Sequence, residues 1–274
     1  MTPPKPIKTI YLLTDFGFEG QHYVAQMRGV LRNLGPLDCL IEDISHAVEP
    51  FSVIQAEFFL ITTFSYLIHP CIIVVVVDPG VGTNRDIVAI QDKDGNILIG
   101  PNNGLFGRFP PKSRIVDIRK VDNPKIVAKL GSITFQGRDI MAPAAAWLAK
   151  NLPFSEVGPG ADDELLLNDL LAPEIEQNVA TGGIYSIDSF GNVITNLPAN
   201  FVRDSSLEPG AIIHVQVGGI EEDFQFGTTF ADVQVAERVA YVGSSLFLEL
   251  AVNQGSAVAL LDCNIGDRIR LEWE

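Results

Sequence analysis

Apolar and polar positions alternate with two different periods along the first half of the chain. Ile7 to Thr14 is a strand-length run that ends on Asp15-Phe16-Gly17. Val24, Met27, Val30, Leu31 and Leu34 then recur at the spacing of one helix face, and Gly35-Pro36 stops that helix. Cys39 to Ile44 reads as a second strand closed by Ser45-His46, and Phe51 to about Phe64 as an apolar helix beginning just after Pro50. Ile72 to Val77 follows, and its unbroken valines Val74 to Val77 describe a strand buried on both faces. This β-α-β-α-β series predicts a parallel sheet with right-handed crossovers. Ile87–Ile90 and Ile97–Ile99 flank Lys93-Asp94-Gly95-Asn96, a hairpin signal. A further helix runs from about Met141 to Leu148, with Pro143 tolerable only in its first turn.

The pattern changes after Asn151. Pro153, Gly158, Pro159, Gly160 and Pro173 punctuate a stretch carrying Asp162, Asp163, Glu164, Asp169, Glu174 and Glu176, which reads as a solvated acidic face. Beyond it helix signals vanish, and short alternating strands separated by glycines suggest a small β-barrel. The expected organisation is an N-terminal α/β domain over 1–160, an acidic linker over 161–178 and a C-terminal all-β, barrel-like domain over 179–274.

Composition narrows the class. In 274 residues, 47% are apolar, enough for a sizeable core, and the net charge is −15. Such an acidic chain lacks the basic footprint that nucleic acid or an anionic membrane surface demands. A cationic or zwitterionic small molecule suits it better. Cys39, Cys71 and Cys263 are scattered and odd in number, without a disulfide framework or zinc spacing. His22, His46, His69 and His214 show no paired metal spacing, so no metal is expected. The N-terminal residues lack the apolar core of a signal peptide, and no apolar run approaches the roughly 18 residues of a spanning helix. A cytoplasmic protein is the expectation.

Candidate chemistry gathers at strand ends. Asp78 ends the valine strand, and a Pro79-Gly80 turn carries the chain to Arg85. Ligands of open α/β sheets bind outside the carboxyl ends of the strands, where an Asp–Arg pair can orient a small nucleophile; the same pair would equally staple a loop. Gly80-Val81-Gly82 is neither a P-loop nor GxGxxG, because no Gly-Lys-Ser/Thr follows and position 85 is Arg. Asp15 stands at the same sheet edge, fit for a ribose diol or for capping the next turn. His46 reads more readily as a structural hydrogen bonder than as a site residue. Asn102-Asn103-Gly104 suits a turn. Asp188-Ser189-Phe190-Gly191-Asn192-Val193-Ile194-Thr195-Asn196 combines an aromatic face with amides, suited to a nucleobase or to a plain hairpin.

These segments in this order resemble the S-adenosylmethionine hydroxide adenosyltransferases, relatives of the fluorinase and chlorinase enzymes, over nearly the whole chain. The resemblance rests on Thr14-Asp15-Phe16-Gly17, Tyr23 to Val30, Ile44 to Phe51, Val77 to Thr83, Gly100 to Leu105, Thr134-Phe135-Gln136-Gly137-Arg138-Asp139, Phe190 to Asn196 and Gly243-Ser244-Ser245. It implies hydrolysis of S-adenosylmethionine to adenosine and methionine without a cofactor, by water or hydroxide attacking ribose C5′ opposite the sulfonium. It also implies a homotrimer with each site between the N-terminal domain of one subunit and the C-terminal domain of the next. By the same resemblance Asp15 holds the ribose hydroxyls, Phe51 contacts the substrate, and Phe190 and Asn192 meet adenine. Asp188, Ser244 and Ser245 hold the methionine end.

The resemblance places Asp78 and Arg85 as the first two members of an Asp-Arg-His set around the water. Gln136 stands where the family motif has His. The family's Pro-Asp-Asn-Gly is Pro101-Asn102-Asn103-Gly104 here, and Phe18-Glu19-Gly20-Gln21-His22 replaces a shorter turn with an Asp before Tyr23. Three readings follow: a hydrolase using Asp78 and Arg85 with Gln136 positioning water, a binding protein for S-adenosylmethionine or adenosine without appreciable turnover, and a halide transferase. The charged Asp78–Arg85 pair fits the hydroxide branch better than the apolar or small-residue halide pocket of the halogenases.

Overall fold

A computed structural model of the chain describes residues 6–128, 131–161, 165–205 and 207–274; Asp162, Asp163 and Glu164 of the acidic stretch lie outside them. The chain divides after Asn168 into two compact units. In the first, the elements are β1 (Thr9–Thr14), α1 (Gln21–Leu34), β2 (Leu40–Ser45), α2 (Val53–Thr63), β3 (Ile72–Val76), β4 (Ile87–Asp92), β5 (Ile97–Pro101), β6 (Ile115–Lys120) and α3 (Ala142–Ala149). They build a six-stranded sheet of order β2-β1-β3-β5-β4-β6. β2, β1, β3 and β5 run parallel, while β4 is antiparallel to both β5 and β6.

Side chains of alternate parity explain the unbroken apolar strands. Ile10, Leu12, Val74 and Val76 pack beneath α1 and α3, against Met27, Leu31 and the alanines of α3. Tyr11, Leu13, Val75 and Val77 enter the opposite layer with Ala56 and Leu60 of α2 and with Phe106. Both faces of β1 and β3 are therefore dry, and period 2 sorts each residue to one layer. The Lys93–Asn96 hairpin forms as read, because Asp92 Oδ1 accepts both the Asp94 and the Asn96 N–H at 2.9 Å. β6 is not legible in the sequence: it is a half-exposed edge strand containing Asp117, Arg119 and Lys120.

The second unit comprises β7 (Glu174–Glu176), β8 (Val179–Ile187), β9 (Val193–Pro198), α4 (Ala199–Asp204), β10 (Ile212–Val217), β11 (Ile220–Phe226), β12 (Arg238–Val242), β13 (Phe247–Val252), α5 (Ala257–Leu261) and β14 (Arg268–Trp273). The order β14-β10-β11-β12-β13-β9-β8 closes through β8–β14 pairing, with β7 added alongside β8. Closure removes the ring's free edges, and the interior is filled by residues such as Val215, Phe224, Leu250 and Trp273. The helices α4 and α5 correct the expectation that helix signals end here. Each is too short to display a helical period, and α5 is set by its cap, Ser256 Oγ accepting the Ala259 N–H at 3.3 Å.

Candidate active site

Segments distant in sequence meet where β1 and β3 end. Asp15 follows β1, Asp78 lies just beyond β3, and Gln136 precedes a wide π-type turn, Gly137–Met141, that leads into α3. Arg85 joins two of these. Its Nε donates to Asp78 Oδ1 at 2.6 Å, its Nη2 to Asp78 Oδ2, and the same Nη2 to Gln136 Oε1 at 2.6 Å. The Asp78 and Arg85 side chains are 6% and 9% exposed, so the pair works in a poorly hydrated setting.

Local structure makes this meeting possible. The Val81 N–H donates to the Asp78 carbonyl and the Thr83 N–H to the Gly80 carbonyl, both at 3.1 Å, so the loop doubles back toward Asp78. Asn103, placed in the Asn102-Asn103-Gly104 turn, donates Nδ2 to the Val77 carbonyl at 3.0 Å and braces the residue before Asp78. Gly137 sits so close to β3 that a Cβ there would lie 3.0 Å from Val76 Cγ1 and Cγ2. That close approach carries Gln136 to the sheet edge.

A cavity of about 250 Å³ opens at this edge, lined by Asp15, Phe51, Asp78, Gln136, Phe16 and Phe135 among others. Asp15 Oδ2 accepts the Phe51 N–H at 2.9 Å. Phe51 has φ +69°, a left-handed conformation strained for an aromatic residue, and its ring is 70% exposed. Burial pushes the Asp15 carboxyl up, and the charge of Asp78 adds to this, against the Phe51 N–H, which holds it down. The rings of Phe16, Tyr23 and Phe135 form a cluster with centroids 5.2 to 5.8 Å apart, fixing two cavity walls. All three stand inside motifs legible in the sequence, with no role evident from the sequence. Nothing in their spacing shows that they meet.

His46 is absorbed structurally. Its Nδ1 lies 2.9 Å from Thr14 Oγ1 and its Nε2 3.1 Å from Asp43 Oδ1. A larger cavity, about 770 Å³, lies at the amino ends of β1 and β5, beside His69 and the Asp92–Asn96 turn. Three of its polar groups are engaged with one another: Asp92 holds Asn96, and Asn96 Oδ1 meets His69 Nδ1 at 2.8 Å. Cys71 Sγ approaches the same His69 nitrogen at 3.7 Å, but the thiol is fully buried and burial pushes its pKa up to about 12. It stays a thiol rather than a nucleophile. The smaller cavity is the one that gathers Asp15, Asp78 and Gln136, the last two bridged by Arg85. Among the described residues no group of three His, Cys, Asp or Glu side chains is arranged to hold a metal ion.

The remaining candidates lie in the barrel unit. Asp188 shapes the β8–β9 turn: Oδ1 accepts the Phe190 and Asn192 N–H groups at 2.9 Å, and Oδ2 accepts Asn192 Nδ2 at 2.8 Å. The Phe190 ring is left 77% exposed. Ser244 and Ser245 occupy the β12–β13 turn, and Ser245 Oγ donates to Glu249 Oε1 at 3.0 Å. Burial, with a smaller contribution from the charge of Asp188, raises the pKa of both Tyr241 and Glu249. In the β9–β13 register the β8–β9 turn precedes the start of β9, whereas the β12–β13 turn lies beside its end, the Ala199 N–H donating to the Leu246 carbonyl at 2.8 Å.

Residues 10–158 match the SAM hydroxide adenosyltransferase N-terminal domain and residues 182–270 its C-terminal domain. The chain belongs to the SAM hydroxide adenosyltransferase family. It is 35% identical to an (R)-S-adenosyl-L-methionine hydrolase of Thermus thermophilus, over 97% of this chain and 100% of that protein. It is 31% identical to a protein of the same name from Methanocaldococcus jannaschii, covering 96% and 95% of the two chains. A fluorinase of Nocardia brasiliensis is more distant, at 26% over 90% and 91%. A solved structure of an uncharacterized conserved protein from Thermotoga maritima superposes with TM-score 0.87 at 33% identity, covering 96% of this chain and 99% of that one.

The three departures noted in the sequence fall in three places, the first at Asn102, whose Oδ1 accepts the Leu166 N–H at 3.0 Å and whose own N–H donates to the Asp86 carbonyl at 2.9 Å. Gln136, at the position where the resemblance has His, accepts from Arg85. In the longer turn after Gly17, His22 Nδ1 lies 3.2 Å from the Glu19 carbonyl, and a Cβ added at Gly17 would lie 3.7 Å from Glu19 Oε2.

Proposed function

We propose that this protein hydrolyses S-adenosyl-L-methionine to adenosine and L-methionine, with Asp78, Arg85 and Gln136 arranging the attacking water. The observation that carries this reading is the bridge from Arg85 to both Asp78 and Gln136 beside the cavity. The sulfonium leaves as a neutral thioether with its bonding electron pair, so no general acid is required. The difficulty lies in the nucleophile, which must be held in line with the C5′–sulfur bond and lose a proton.

Geometry divides the roles. Gln136 Oε1 accepts from Arg85, so its Nε2 is the group left for water, and an amide N–H can only donate. Gln136 therefore orients water without taking its proton. Arg85 stays protonated and stabilises developing hydroxide by charge. Asp78 keeps lone pairs beyond those used by Arg85 and is the group positioned to accept the proton. Asp15 binds the ribose hydroxyls beside the exposed Phe51 ring, while Phe190 and Asn192 serve adenine. Asp188, Ser244 and Ser245 serve the methionine end.

A cavity of about 250 Å³ falls below the roughly 300–1,000 Å³ of small-molecule sites. A site of that size leaves room for further walls, and the family resemblance assigns these to the barrel unit of a neighbouring copy in a homotrimer, which would cover the exposed Phe51 and Phe190. Sedimentation at equilibrium should return three times the mass of one chain. A cytoplasmic location follows from the same reading, and among the described residues no helix is long and apolar enough to cross a membrane.

The test is incubation with the (S) and (R) sulfonium epimers separately, since the relatives are named for the (R) form, followed by chromatography of nucleosides. Adenosine should form, and Asp78→Asn or Arg85→Ala should lower its rate by roughly 10²–10⁴-fold. Wild-type rates in either variant would sink the assignment. No adenosine from wild type, with adenosine from Gln136→His, would instead mark a binding protein on an enzyme scaffold. Formation of a 5′-halogenated nucleoside with chloride would mark halide transfer.

A further inference from the structure

Glu249 of β13 is 9% exposed, and among the described residues no cationic side chain pairs with it. Its two oxygens are both occupied by hydroxyl donors. Tyr241 Oη donates to Oε2 and Ser245 Oγ to Oε1, each at 3.0 Å. The carboxylate lies directly against the Gly243 backbone, where an added Cβ would sit 1.9 Å from Oε1. The glycine of Gly243-Ser244-Ser245 thus makes room for Glu249. The turn itself closes through the Leu246 N–H to the Gly243 carbonyl and the Gly243 N–H to the Phe247 carbonyl, both at 3.0 Å.

Counting protons gives this arrangement a chemical direction. A carboxylate accepts only, whereas a serine or tyrosine hydroxyl has one proton to give. Burial pushes the Tyr241 phenol well above its ordinary range, so it remains a donor. Burial and the charge of Asp188 push Glu249 upward, while the Ser245 and Tyr241 bonds hold it down. With the Ser245 proton committed to Glu249, only lone pairs of Oγ remain for anything that docks there. A ligand group meeting Ser245 must then be a donor, and the charge of Asp188 reaches Glu249 and adds to the negative potential there.

We propose that Glu249 is a positioning residue that turns Ser245 Oγ into an acceptor for the substrate's α-ammonium, selecting against a carboxylate at that point. This rests on the reading that the Ser244-Ser245 segment meets the methionine end of the substrate. Glu249 touches no reacting atom; it acts through Ser245.

The experiment uses two probes that lack the sulfonium and so are not turned over: S-adenosyl-L-homocysteine and its analogue without the α-amino group. Calorimetric titration is carried out on wild type, Glu249→Gln and Ser245→Ala. Both substitutions should weaken S-adenosyl-L-homocysteine by roughly 10- to 100-fold and leave the amino-free analogue within about twofold of wild type. Equal weakening of both probes would reduce Glu249 to a structural role, and no weakening of either would overturn the proposal as well. If Glu249→Gln fails to fold, Ser245→Ala carries the same comparison. Wild type that binds neither probe and forms no adenosine refutes the adenosyl reading itself. Wild type that binds both, with variants showing no selectivity for the amino group, refutes only the role of Glu249.

Discussion

Asp15 has two tasks that pull against each other. Its carboxylate holds Phe51 in a left-handed backbone conformation, yet burial and the neighbouring Asp78 charge raise its pKa. A carboxyl whose folded pKa exceeds its unfolded value favours the fold most at pH below the unfolded value, near 3.8, and loses that contribution as pH rises through the folded value. Ionised Asp15 is therefore a burden on stability at neutral pH. Asp15→Asn, which can still accept the Phe51 N–H, should raise the melting temperature at pH 7. The same change should weaken adenosine binding by roughly 10- to 100-fold, through loss of charge-assisted bonds to the ribose hydroxyls. Thermal unfolding and titration with adenosine check both halves; a lower melting temperature contradicts the stability argument. In wild type, affinity for adenosine should decline on the acid side as Asp15 takes up a proton, beginning above the ordinary aspartate range.

Between β3 and α3, packing sets the position of Gln136 more tightly than any hydrogen bond of its own. The turn beginning at Gly137 presses on Val76 at the end of β3 and lies 3.4 Å, measured from a notional Cβ, from Met27 Sδ of α1. Gly137→Ala should therefore destabilise by about 1–3 kcal/mol through overpacking. By shifting Gln136 it should slow adenosine formation more than it weakens adenosine binding. Denaturant unfolding and a comparison of rate with affinity check this, and unchanged turnover would mean that Gln136 does not need its present place. Arg138 and Asp139 secure the other side of that turn: Asp139 Oδ2 accepts the Ser132 N–H at 2.6 Å, and the Arg138 guanidinium holds the Asp139 carboxyl below its usual range. Asp139 sits in a motif legible in the sequence, but its anchoring role depends on a loop partner that the sequence does not reveal.

Taken whole, the molecule carries a net charge of −15 and is proposed to act on a sulfonium that also bears an ammonium. Such a field concentrates cations and accelerates their encounter, and salt screens it. The ratio kcat/KM for S-adenosylmethionine should fall as sodium chloride rises from low millimolar to about 0.5 M, with a Debye length shrinking from roughly 30 Å toward a few ångströms. The affinity for neutral adenosine should change little. A flat kcat/KM over that range would confine the electrostatics to the site itself.

Strand and helix placement in the first unit was available from periodicity, because β1 and β3 are buried on both faces and α1 has a single apolar stripe. The motif order likewise carried the family. Edge strand β6 and the short helices α4 and α5 escaped, since a half-exposed charged strand and helices of one or two turns have no period to read. Asp15, Asp78 and Arg85 were legible as strand-end chemistry. The sequence could not show that one Arg85 nitrogen joins Asp78 to Gln136, nor that Glu249 takes the Ser245 proton. Those facts are contacts across 51 and 4 residues, respectively. Local pattern determines which face of an element is buried; only the folded chain decides which polar groups at its ends meet, because that depends on how loops return across the sheet edge.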